Sequence, residues 1–167
     1  RYQAGQLPSD QMSTQYPLAS QQMKALAQIN FVSGPVADST LVNGISYSTL
    51  KMYTPNEVAG FFSADIATDD YDYTTTREDI AMTFEETMMS KNHQWRRDFA
   101  ITDKVASGAT GSSIIVRWGQ RGRVGEPTIK PRAEFAVSQL APWLNAPATL
   151  AAVPAPIAMR PGASWTA

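Results

Sequence analysis

The chain has 167 residues, of which 15 are acidic and 14 basic, with one histidine and no cysteine. That length and a hydrophobic content of 43% suit a domain with a buried core and argue against gross disorder. A net charge of −1 supplies no field for nucleic acid or anionic lipid, the lack of Cys removes disulfides, thiolate nucleophiles and Cys-ligated metals, and no apolar run reaches the roughly 20 residues that span a bilayer.

The sequence opens on Arg1 with a Gln-rich, polar stretch that lacks the regions of a signal peptide, so it reads as a processed or truncated piece of a longer product. Residues 1–17, with Pro8 and Pro17, read as an extended arm. Met23, Leu26, Ala27 and Ile29 predict a short helix over 19–29, stopped by Asn30 and Gly34-Pro35. A turn-rich stretch follows over 33–46, then a short strand over 46–53. Thr54-Pro-Asn-Glu57 has the form of a capping box and predicts a helix to about Phe62 with Val58, Phe61 and Phe62 inward.

The acidic and aromatic run 65–73 precedes the strongest helical signal, which starts at Thr75 or Thr76 with Glu78 and Asp79 in its first turn. Ile80, Ala81, Phe84, Thr87, Met88 and Met89 are its expected inner side, with Met88-Met89 as core filler. Residues 90–97 read as a polar link. Strands over 99–102 and 113–118 with a turn at 108–111 form a hairpin, and Gly119, Gly122 and Gly125 make the next segment irregular. Pro131 opens a helix to about Leu140 with Phe135, Ala136, Leu140 and Trp143 inward. Residues 145–167, rich in Pro and Ala, read as an extended tail. The expected fold is α+β: three to four helices with a small antiparallel hairpin in a domain over 18–144, flanked by the arm and the tail.

The helix carrying Glu78-Asp79-Ile80-Ala81-Met82-Thr83-Phe84-Glu85 places two carboxylates at the positive end of a helix dipole. Its pattern E-D-x-A-x-x-F-E resembles the second zinc-site helix of zincin-type metallopeptidases, where a Glu followed by a small residue and an aromatic supplies the third ligand. The resemblance extends over residues 54–144 to secreted bacterial proteins of this kind, through the aspartate-rich loop 65–73, the R-D-x-A strand at 97–100 and W-G-x-R-G-R at 118–123. It implies Glu78 as a zinc ligand, zinc as cofactor, hydrolysis of peptide bonds by a metal-activated water, and a secreted or periplasmic location.

The chain departs from the family in lacking HExxH, whose two imidazoles and general-base Glu complete such a site. That helix is then expected upstream of Arg1, or the site is degenerate; these residues alone hold no complete catalytic set. The alternative is a non-enzymatic extracytoplasmic structural or assembly subunit in which Glu78 and Asp79 only cap a helix. Either way the expected partner is a missing N-terminal segment or another protein chain, a second copy included, with no nucleic acid and no membrane span.

Other candidates carry less. Asp65, Asp69, Asp70 and Asp72 could serve a hard cation but lack EF-hand spacing, and read as a solvated acidic loop. His93 reads as a surface or loop histidine. Ser112 and Ser113 lack the G-x-S-x-G elbow. Arg117, Arg121 and Arg123 with Trp118 form a basic, aromatic patch whose arginines are expected to pair with Glu126, Asp98 or Asp103.

Overall fold

Capping residues set most helix starts in the structure, a computed structural model that describes Gln3, residues 5–32 and residues 40–167. At Thr54 the predicted capping box forms: Thr54 Oγ1 accepts from the Glu57 N–H at 3.3 Å and the Glu57 carboxylate accepts from the Thr54 N–H at 2.8 Å. Thr75 caps the longest helix by accepting the Glu78 N–H at 3.2 Å, and Gln94 ends it in the left-handed conformation at φ 57°.

The architecture is α+β. Among the described residues there are seven α-helices: α1 Pro8–Gln15, α2 Gln21–Ala27, α3 Tyr47–Met52, α4 Pro55–Ser63, α5 Thr76–His93, α6 Lys130–Leu140 and α7 Ala146–Ala151. A hairpin joins β1 Leu41–Val42 to β2 Ile45–Ser46, and a separate antiparallel sheet runs β3 Asp98–Thr102, β4 Val116–Arg121 and β5 Ile157–Ala158 in that order. A π-helical turn, Gln28–Val32, prolongs α2, while the Gly34-Pro35 stop signal lies outside the described residues.

Several elements differ from expectation for local reasons. Asn43 and Gly44 both take positive φ, the pair demanded by a two-residue hairpin turn, and this Asn-Gly signal places β2 at residue 45. The Ser46 hydroxyl then accepts the Thr49 N–H at 3.3 Å, so 47–52 is helix α3 where a strand was expected. The Gly108 to Gly111 region belongs to a longer connection between β3 and β4 that includes a 3-10 turn at Gly111–Ser113.

The segments read as arm and tail are docked. Met12 on α1 is fully buried between Ile80 and Ala136. At the other end Leu150 of α7 and Val153 join Val124, Ile129, Ala133 and Val137 in one core cluster. β5 closes on β4 through the Met159 N–H, which donates to Gly119 O at 2.9 Å. Burial of Met12 beside half-buried Tyr16 in the first segment and of Leu150, Val153 and Met159 in the last, at about 1.5–3 kcal/mol for each fully buried large side chain, explains why neither stays extended.

Helix faces also differ. The buried face of α6 is Arg132, Ala133, Ala136 and Val137, whereas Leu140 is 37% and Trp143 79% exposed. On α5 the buried residues are Asp79, Ile80, Thr83, Glu86, Thr87 and Ser90, and Ala81 is exposed. The stripe 79-83-86-87-90 has the helical period, and it is polar where Asp79 and Thr83 meet the buried Arg132 and Glu86 accepts the Val124 N–H.

Candidate functional site: the glutamate helix and its buried acids

Glu78 and Asp79, adjacent in sequence, are separated by the rotation of α5. Asp79 turns inward, where its carboxylate accepts from the Arg132 guanidinium. Arg132, wholly buried on α6, also donates to Thr83 Oγ1 at 3.2 Å and to the Tyr16 carbonyl at 3.3 Å, and lies 3.9 Å from Asp72. One guanidinium therefore ties α1, α5 and α6 together and serves two carboxylates. Burial pushes the Asp79 carboxyl up to about 6 against the pull of Arg132. Asp72 is raised well above the carboxylate range, first by burial and then by the charge of Asp79. Asp72 Oδ1 and Asp79 Oδ1 are buried without partners among the described residues.

Glu78 is half-buried in the first turn, and its carboxylate makes no hydrogen bond or ion pair among the described residues. Residues at i+4, i+7 and i+11 share its helix face, and they are Met82, Glu85 and Met89. These three, with Glu86, Trp95, Arg96 and Arg97, line a cleft of about 430 Å³. At about 1.5 Å of rise per residue, its first wall residue Met82 stands about 6 Å along the axis from Glu78.

Glu86, one step inward from that face, is 4% exposed. Its Oε1 accepts from the Val124 N–H at 3.2 Å and its Oε2 has no partner among the described residues. Burial pushes this carboxyl up to about 7, opposed by the Val124 hydrogen bond and the positive charge of Arg123.

The aspartate-rich loop is not solvated, contrary to expectation: Asp65, Asp69 and Asp72 are buried. Asp65 accepts the Ala19 and Ser20 N–H groups at 2.9 and 2.8 Å and the Tyr73 hydroxyl at 2.9 Å, which fastens the start of α2 to the loop. Burial and the Asp65 charge push the Tyr73 hydroxyl up, so it stays a donor. Asp69 is wholly buried, accepts the Asp72 N–H at 3.1 Å and holds Arg97; Asp72 accepts the N–H and hydroxyl of Thr68 at 2.6 and 2.9 Å. Each of these three carboxylates is turned onto protein donors, and Asp70 is half-buried with no ion pair among the described residues. Among the described residues no group of three His, Asp or Glu side chains is arranged to hold a metal ion.

The arginine segment is divided. Arg117 pairs with Asp103 at 2.7 Å and Arg121 with Asp98 at 3.3 Å, as expected. Arg123 instead is buried, donating to the carbonyls of Ala67 at 2.7 Å and Asp65 at 2.6 Å and to Gln120 Oε1 at 2.8 Å, with its guanidinium over the rings of Phe62 and Trp118. Gly122, at φ 75°, makes the turn that brings Arg123 inward, and a Cβ on Gly125 would collide with the Pro154 carbonyl. The patch therefore leaves no run of free arginines for phosphate.

His93 ends α5, exposed and 5.3 Å from the Trp95 ring; 15 residues from Glu78, it is about 22 Å away along the helix. Ser112 and Ser113 lie in an exposed 3-10 turn. Sequence reasoning placed Arg123 in a surface patch and left Glu86 to face outward, whereas both are buried, and it missed Arg132. The available signal was an ionic residue at helical spacing within an apolar stripe: Arg132 precedes Ala133, Ala136 and Val137.

No protein-family model, curated protein or solved structure matches this chain. No helix among the described residues is long and apolar enough to cross a membrane.

Proposed function

We propose that the chain is the C-terminal portion of a zincin-like metallopeptidase, secreted or periplasmic, in which Glu78 is the third zinc ligand. The observation that carries this reading is the division of the acid pair. Asp79 is consumed by Arg132, whereas the Glu78 carboxylate has no partner among the described residues and stands on a helix face that continues into a cleft. A ligating carboxylate needs a rigid mount, and the Arg132 and Val124 contacts of α5 provide one.

As a donor Glu78 fits zinc, which takes carboxylate oxygen readily. Among the described residues no group of three candidate ligands is arranged to hold a metal ion, so on this reading an HExxH segment from sequence outside this chain completes the set. Zinc, when held, supplies a water activated for attack on a peptide carbonyl. The part left to this chain is to orient one ligand and to shape the cleft beside it.

The test is metal analysis and peptidase assay of the native gene product with all of its encoded sequence. Stoichiometric zinc that is lost on Glu78→Gln, together with activity, supports the assignment. Zinc and activity unchanged in that variant overturn it. The assembly-subunit reading rests on the absence of a complete catalytic set, on low charge and on the Pro/Ala tail. Among the described residues that tail packs on the chain's own core through Leu150 and Val153, which removes the tail as support for it.

A further inference from the structure

Among the described residues β3 is the outer strand of its sheet, paired with β4 on one side only. Two hydrogen bonds fix which of its backbone groups remain unpaired. Gly122 N–H donates to Arg97 O at 2.8 Å, which places Arg97, and with it Phe99 and Ile101, in the pairs that exchange bonds with β4. Gly119, opposite Ala100, accepts instead from Met159 on the β5 side at 2.9 Å. By the alternation of an antiparallel ladder, Asp98 and Ala100 therefore turn both N–H and C=O to the open edge. They stand about 6.8 Å apart, the repeat of one strand face.

That edge forms one wall of a groove of about 650 Å³ whose other walls include Met23 and Leu26 of α2, Tyr53, and Val58 of α4. Phe99 points to the α2 and α4 side, stacked on Phe62 with centroids 4.3 Å apart. The Asp98 carboxylate is taken by Arg121 and by the Trp165 indole. Two groove charges have no ion-pair partner among the described residues: Asp70, next to the Asp69 that holds Arg97 at the start of β3, and Lys104, two residues past its end. Burial raises the Asp70 carboxyl, as befits an acid that lacks a cation.

We infer that the β3 edge binds an extended peptide as a fourth, antiparallel strand, with an acidic residue toward Lys104, an apolar residue on the α2 and α4 wall, and a basic residue toward Asp70. Backbone donors and acceptors at strand spacing are matched only by another extended backbone, and the charge polarity of the groove selects its direction. An edge left open invites such pairing, and the short length of β3 limits it to about five residues. The inference does not rest on the zinc reading, since it concerns binding and needs no metal.

The probe is the pentapeptide Ac-Glu-Val-Leu-Val-Lys-NH2, titrated into the isotope-labelled chain while amide NMR spectra are recorded. Saturable shifts at Asp98 and Ala100 are expected. N-methylation of both valines, whose N–H groups would meet Asp98 and Ala100, should weaken binding about tenfold or more, from two lost hydrogen bonds. N-methylation of the leucine, whose N–H faces away from β3, should cost far less. The charge-reversed peptide Ac-Lys-Val-Leu-Val-Glu-NH2 should bind more weakly, and Asp70→Asn should erase about half of that difference, the rest belonging to Lys104. Equal affinity of the valine-methylated peptide, shifts confined to other surfaces, self-association through β3 in place of peptide binding, or no saturation at millimolar peptide would each overturn the proposal.

Discussion

Replacing Glu86 by Gln should stabilise the protein above neutral pH and do little or harm below it. The wild-type carboxyl is raised to about 7 from an ordinary 4.5, with burial as the leading cause. The native state therefore holds a proton that the unfolded chain releases between about pH 4.5 and 7, and in that window stability falls as pH rises. At about 1.4 kcal/mol per unit, the ionised, buried Glu86 costs on the order of 3 kcal/mol once the pH exceeds 7. The Gln amide keeps the acceptor for the Val124 N–H and carries no charge, so it resembles protonated Glu86, with an unpartnered NH2 that removes part of the gain. A net increase of about 1–3 kcal/mol at pH 8 is expected, equivalent to a Tm rise of roughly 2–10 °C for a chain of this size. Thermal unfolding of both proteins from pH 5 to 8.5 measures it. The wild type should lose Tm as pH rises through 5 to 7, and the variant should show a flatter profile that crosses it. An unchanged slope, or a loss of stability at pH 8 as large as that at pH 5, would refute the assignment of a buried, half-satisfied carboxylate.

Arg132→Met should lower stability at pH 7 by about 3–5 kcal/mol, because Asp79 and Asp72 are then left buried without a cation, and urea unfolding would read it. Part of that loss should return at pH 5, where Asp79, already raised to about 6, is neutral. Gly125→Ala should cost about 1–3 kcal/mol or more, since its Cβ meets the Pro154 carbonyl and backbone yields poorly; limited proteolysis should then cut first between α7 and β5. Arg117→Ala should leave Tm unchanged at physiological ionic strength, because the Arg117 and Asp103 side chains are 40% and 41% exposed.

The helices that begin with strong local chemistry were legible residue by residue. Thr54 with Glu57, Thr75 with Glu78, and Pro131 inside the first turn of α6 act through hydrogen bonds and dihedral limits spanning three or four residues. The Asn43-Gly44 hairpin is equally local, though the sequence reading took that stretch only as turn-rich. The α+β class followed from such signals alone. Of the candidate site, the sequence marked α5 and its first-turn acids, yet it could not tell Glu78 from Asp79. That distinction depends on Arg132, 53 residues from Asp79 along the chain.

The same limit explains the aspartate loop, the arginine segment and the terminal segments. Residues 65–73 look solvated because their partners, the N–H groups of Ala19 and Ser20 and the guanidiniums of Arg97 and Arg132, are distant in sequence. Met12, Leu150 and Val153 look too sparse to order their segments until α5, α6 and the 123–129 turn supply the other half of each contact. Sequence by itself determined where the backbone turns and which short stretches coil, because those preferences are set within one helical turn. The tertiary structure alone decided which charges are buried and which remain free. The energy of a buried charge depends on a partner brought from elsewhere in the chain, and no local pattern records that partner.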